Sequence, residues 1–246
     1  MTYVRRYGDD FDADDGTLIE NYTPPADGLG AWSRGNADSG YWKIDGAPDS
    51  VLHGTVGFAG GNLYVHAARA LVDDLFEFKV QMEFVDENGV ITTADGGAVV
   101  FMANDQDGAS ATRQYIKAAW RYASAGLYDL FVQRVHNGAD QSAQDVANDV
   151  ALPGIVVTGT ALNGGAWFGV RKEGATVTLF SEDSAEANRV EHGSVVLSTV
   201  YDDGLHTRFG VIGGPNHQSN QRMRFYNTKL LLPNSIPAAP ARLLVR

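Results

Sequence analysis

The chain has 246 residues, 28 of them Gly and none of them Cys, which excludes a disulfide-stapled scaffold, a cysteine nucleophile and a zinc–thiolate site. A formal net charge of −11 repels phosphate backbones and speaks against nucleic-acid binding. The length suits one large all-β domain, or two small ones, with a substantial core.

The opening, Met1 to Arg6, carries two arginines with no apolar run behind them. No secretory signal is read there, and no stretch is long and apolar enough for a membrane span. The chain is therefore expected to be made in a cytoplasm and to stay there or leave within an assembly, such as a virion. Residues 1–40 read as irregular, because Pro24-Pro25, Asp27-Gly28 and Arg34-Gly35 are turn signals.

Strand-like runs follow at 40–45, 51–56, 62–67, 75–85, 97–103, 114–122, 127–136, 154–159, 166–172, 176–181, 195–200, 207–213 and 222–231. Their spacing predicts an antiparallel all-β sandwich rather than alternating βαβ units. The best helical stretch, 184–189, reads as a short turn. Asn88-Gly89 marks one hairpin, and Gly174, between 166–172 and 176–181, marks another. In the run 114–122, Ile116, Ala118, Trp120 and Tyr122 share one face, while Tyr115, Lys117, Ala119 and Arg121 share the other. This predicts a central strand with one face in the core and one lining a groove.

No internal repeat and no break in composition divides the chain, so residues 1–232 are expected to form one sandwich. Pro233, Pro237 and Pro240 then give residues 233–246 an extended character. Leu243, Leu244 and Val245 at its end, beside Arg246, read as an apolar docking peptide with a basic tip.

Several short motifs describe a known fold. They are the opening Asp9-Asp10-Phe11-Asp12 with Asp15-Gly16-Thr17, then Gly30-Ala31-Trp32, then Trp167-Phe168-Gly169-Val170-Arg171 followed by Gly174 and Val177. The closing pair is Arg208-Phe209-Gly210-Val211 and Phe225-Tyr226-Asn227. Over roughly residues 9–232 the chain resembles the concanavalin A-like, laminin G-like jelly-roll domains of bacterial and phage proteins. The resemblance implies two curved antiparallel sheets, with the opening segment beside the closing strand. That family holds lectins, glycan-binding modules, glycosidases, lyases and virion parts, so it does not fix a function.

No cofactor is expected, calcium being the one exception considered, at two oxygen-rich segments that otherwise read as a solvated acidic edge and an Asp-Gly turn. Asp10, Asp12 and Asp14 alternate as hard carboxylate ligands do, but Asp15 and Asn21 stand where an EF-hand loop needs Gly and Glu. Asn104, Asp105 and Asp107 form a second loop, at the rim where the resemblance places ligands. Tyr41 and Trp42 flank a Gly-rich turn and read as surface aromatics suited to a saccharide.

Catalysis finds little support in the sequence. Glu77 and Glu83 share strand parity but lie six residues apart, about 20 Å along an extended chain, far from the ~5 Å of a retaining glycosidase pair. Tyr115, Lys117, Arg134 and His136 imitate a lyase constellation only loosely. The six histidines form no i, i+2 or i, i+4 pair, so no local metal pair is read. The sequence therefore predicts a protein that is not an enzyme: a building block of a phage-like virion, as capsid decoration or tail-associated subunit. Its expected partners are other virion proteins or further copies of itself. The alternative is a lectin-like module that binds surface glycans.

Overall fold

The computed structural model describes residues 3–14, 16–34, 42–45, 51–54, 63–67, 75–86, 95–104, 112–124, 126–158, 164–198, 206–213 and 221–234. Its strands, in chain order, are β1 (Tyr3–Asp9), β2 (Trp32–Arg34), β3 (Trp42–Asp45), β4 (Val51–Gly54), β5 (Leu63–Ala67), β6 (Leu75–Asp86), β7 (Asp95–Ala103), β8 (Tyr115–Ser124) and β9 (Leu127–His136). They continue with β10 (Ala139–Asp140), β11 (Gln144–Val150), β12 (Val156–Thr158), β13 (Ala166–Glu173), β14 (Thr176–Glu182), β15 (Val190–Val196), β16 (Arg208–Gly213) and β17 (Gln221–Pro233).

The first sheet runs β15-β14-β13-β6-β17-β4-β3, with β1 added to β17 and β12 added in parallel to β6. The second runs β10-β9-β8-β7-β16-β5-β2, with β11 added to β9. The opening strand lies antiparallel to the closing one, Tyr3 opposite Pro233 and Asp9 opposite Thr228. The N-terminal segment is thus partly strand rather than irregular. The described residues bear out an all-β antiparallel sandwich of jelly-roll type.

Alternation along β6 explains how the sheets join. Phe76, Phe78, Val80, Met82 and Phe84 are all buried and point into the core. Phe76 meets Phe209 of the second sheet edge-on, with ring centroids 5.2 Å apart, and Trp120 meets Phe168 in the same way at 5.3 Å. Aromatic pairs of this kind contribute about 0.5–1.5 kcal/mol beyond the area they bury. Gly97 sets the approach between the sheets. A Cβ there would fall 1.7 Å from Met223 Cε, so the methionine fills the space a side chain would need.

Among the described residues of the acidic opening, Asp9 is the interior member. Its carboxylate accepts bonds from the Phe11 backbone N–H at 2.9 Å, from Trp32 Nε1 at 2.7 Å and from the Tyr22 hydroxyl. Trp32 belongs to the second sheet, so Asp9 ties β1 to β2 across the sandwich. Burial raises its pKa, and the three donors oppose that shift only in part.

Candidate functional site

The even members of β6 face the core, so Glu77, Lys79, Gln81 and Glu83 face outward. Register carries this outer face across the sheet in rows. Asn227, Gln81, Trp167 and Glu182 form one; Lys229, Lys79, Gly169 and Phe180 form the next. Arg224 stands opposite Glu83, and through His53 its row reaches Lys43 on β3.

At the β13–β14–β15 side these charges satisfy one another. Lys79 Nζ lies 2.5 Å from Glu182 and 2.8 Å from Glu186, and Lys229 reaches Glu186 as well. Arg189 grips both oxygens of Glu77, at 2.8 and 3.1 Å, and touches Glu182 at 3.4 Å. Its guanidinium lies 3.6 Å from the Phe180 ring centroid. The segment between β14 and β15 supplies Glu186 and Arg189, so it is clasped onto the sheet. Burial pushes the Glu186 carboxyl up, but the bonds from Lys229 and Lys79 outweigh it and leave its pKa lowered. Asp183 organises the same segment by accepting from the Ala185 and Ala187 amides and from Asn188 Nδ2.

The other side, along β6 and β17, is different. A register shift between Phe225 and Asn227 bulges β17 at Tyr226. Bulges re-aim side chains, and here the Tyr226 hydroxyl donates to Glu83 Oε2 at 2.5 Å, with Glu83 fully buried. Gly165, at φ 66, backs this contact. A Cβ there would meet the Met82 carbonyl oxygen at 2.6 Å and the Tyr226 ring at 3.2 Å. Gln81 Nε2 donates to the Gly164 carbonyl at 2.7 Å.

Along this seam four buried polar atoms find no partner: Arg224 Nε and Nη1, Asn227 Oδ1 and Trp167 Nε1. Lys79 and Lys229 cover the Trp167 ring at 4.9 and 4.7 Å, while its Nε1 has no acceptor. Among the described residues, the outer face of the second sheet offers no comparable set. There Val100, Tyr115, Ala119, Phe131, Val135 and Ile212 form a second apolar cluster, and Lys117 reaches Asp140 at 3.4 Å. Tyr115 and Lys117 lie on that outer face while Arg134, opposite Ile116, lies on the inner one, so the lyase imitation is not assembled.

The residues singled out in the sequence fall elsewhere. Trp42 is fully buried and packs 5.5 Å from Phe225, so it is a core ring and not a surface one; Tyr41 lies outside the described residues. Asn104 closes the base of its loop, donating to the Thr112 carbonyl and accepting from the Gln114 amide; Asp105 and Asp107 lie outside the described residues. Asp10, Asp12 and Asp14 are exposed, and among the described residues no three acidic or histidine side chains gather as a metal site. Leu243, Leu244, Val245 and Arg246 lie outside the described residues.

Sequence reasoning noted Glu83 only for its distance from Glu77, and missed Arg224 and Asn227 as site residues. The pattern Arg222-Met223-Arg224-Phe225 held the signal, because its apolar members point inward and so place Arg224 on the outer face.

No protein-family description matches the sequence, and no curated protein matches it. Solved structures do. The GH43 glycoside hydrolase BlXynB from Bacillus licheniformis superposes with a TM-score of 0.54 at 14% identity, over 95% of this chain and 40% of its own. The chain therefore spans well under half of that protein. The legume lectin-like domain from Entamoeba histolytica gives 0.52 at 9% identity, over 81% of this chain and 88% of its own. The VIP36 exoplasmic/lumenal domain, bound to Ca2+ and Man3GlcNAc, gives 0.53 at 10%, over 100% of this chain and 95% of its own.

One expectation needs correction. The sequence reading excluded an enzyme for want of a paired-carboxylate strand, yet glycoside hydrolases stand among the chains that share this sandwich. A missing local motif does not exclude catalysis on a fold whose strands bring distant residues together. What the likenesses show is the fold, and on that ground the chain is a concanavalin A-like jelly-roll β-sandwich.

Proposed function

We propose that this protein binds glycans, and that the β6–β17 seam makes the contact. The observation that carries the proposal is the set of four unpartnered buried polar atoms on Arg224, Asn227 and Trp167. Leaving such a group unsatisfied costs about 1–3 kcal/mol. A saccharide offers hydroxyls that both donate and accept, so it can serve guanidinium and indole N–H donors and the amide oxygen together. The half-buried Tyr226 ring beside them supplies apolar surface for a sugar face.

The lectin-like and VIP36 neighbours support this reading; a place in a virion has no such support. The VIP36 structure carries Ca2+, which keeps calcium in the test although the described residues gather no site for it. The test is a glycan array with and without calcium, followed by titration calorimetry of the hits against Asn227→Ala and Tyr226→Ala. Binding weakened by both substitutions supports the proposal. An array silent in both conditions ends it.

A further inference from the structure

We propose that the saccharide is acidic, with a carboxylate seated on Arg224. This inference rests on the glycan-binding reading and names the substrate class of the same seam.

Arg224 is 8% exposed, and two of its three guanidinium nitrogens, Nε and Nη1, have no acceptor. Each fork of a guanidinium, Nε with Nη2 or Nη1 with Nη2, contains one of them. Planar bidentate recognition of a carboxylate uses such a fork. Glu83, the residue opposite on β6, receives the Tyr226 hydroxyl instead, and no ion pair joins it to Arg224. A buried guanidinium without an anion is expensive, and a charge-assisted bond recovers more than a neutral hydroxyl would.

A second observation points the same way. Elsewhere on this outer face the cations are matched: Lys79, Arg171, Arg189 and Lys229 each hold a carboxylate. Among the described residues of the face the exceptions are Arg5, exposed on β1 beside the far end of β17, and the pair Arg224 and Lys43. That pair shares a row, two strands apart, which is about 10 Å. Two unpaired cations in line on a chain of net charge −11 suit a linear saccharide that carries more than one carboxylate.

The experiment titrates the full chain with tetrameric uronates of galacturonate, mannuronate and glucuronate type, each beside its neutral methyl ester, and with inorganic sulfate and monomeric galacturonate. Arg224→Gln and Lys43→Gln accompany the wild type, with melting curves for both. The half-exposed Lys43 variant keeps the test open should Arg224→Gln fold poorly. The expected result is binding of a uronate tetramer that weakens about tenfold or more on esterification and on Arg224→Gln. Lys43→Gln should weaken it by a smaller factor, and added salt should weaken it further. Sulfate or monomer bound as tightly as a tetramer would make the site a plain anion site and overturn the inference. So would equal affinity for acid and ester, or an uronate affinity that neither substitution changes. Binding of neutral glycans alone would overturn this inference and leave the glycan reading standing; no saccharide binding at all would remove both.

Discussion

The two halves of one sheet face use the same kinds of residue to opposite ends. Around the β14–β15 segment, Lys79, Glu77, Glu182, Glu186, Arg189 and, from β17, Lys229 close into a network in which every one of these charges has a partner. Along β17, a few ångströms away, Arg224 and Asn227, with Trp167 across β6 on β13, keep buried polar atoms unmatched. Buried charges are tolerated when paired and costly when not. The first half therefore reads as structure, fastening the β14–β15 segment to the sheet. The second reads as a surface waiting for its partner, and Trp167 lies on the border, its ring under two lysines and its Nε1 without an acceptor.

The largest effect should come from breaking the clasp. Lys79→Met leaves Glu182, itself buried, without its closest cation, and should cost about 3–5 kcal/mol in urea unfolding. Saccharide binding by the fraction still folded should be unchanged. A next effect probes the seam's backbone. Gly165→Ala forces a Cβ against the Met82 carbonyl at a positive φ, and should cost about 1–3 kcal/mol while loosening the Tyr226–Glu83 contact, as read by melting and by titration.

A smaller effect depends on pH. Glu186 has a lowered pKa in the folded chain, so its contribution is present above the unfolded carboxylate value and is lost as pH falls through the folded one. Melting temperatures of wild type and Glu186→Gln should differ at neutral pH and converge in acid, below the usual carboxylate range. The smallest is local: Asp183→Ala removes the acceptor of the Ala185 and Ala187 amides, and hydrogen exchange there should quicken with little change in global stability.

Much of the fold was legible because its signals are local. The run 127–136 coincides with β9, Gly174 sits at φ 59 in the turn between β13 and β14, and the two faces expected of 114–122 separate Ile116, Ala118 and Trp120 in the main core from Tyr115 and Ala119 in the second cluster. The misses have physical causes too. β1 carries Arg5, Arg6 and Gly8, which interrupt alternation, and its partner is at the far end of the chain. β11, Gln144–Val150, lies on β9 with a largely polar sequence, so it lacks a buried stripe. β15 spans Val190–Val196 rather than 195–200, since pairing with β14 and not the apolar run sets its limits.

The seam was hardest to see. It requires residues from three strands, a register that only the folded sheet supplies, and a bulge at Tyr226 that no local pattern announces. Trp42 shows the same limit in reverse: a Gly-rich neighbourhood suggested a surface, but tertiary packing against Phe225 took the ring inside.

The central claim is that the paired half holds the fold and the unpaired half serves a ligand. The most direct test measures unfolding free energy and affinity for a bound glycan on two single variants, Lys79→Met and Arg224→Met, side by side. The account predicts a large stability loss with retained affinity for the first. For the second it predicts stability within about 1 kcal/mol of wild type, or above it, because an apolar side chain removes an unmatched charge, together with lost binding. Equal destabilisation by both, with affinity for the glycan intact in Arg224→Met, would contradict it.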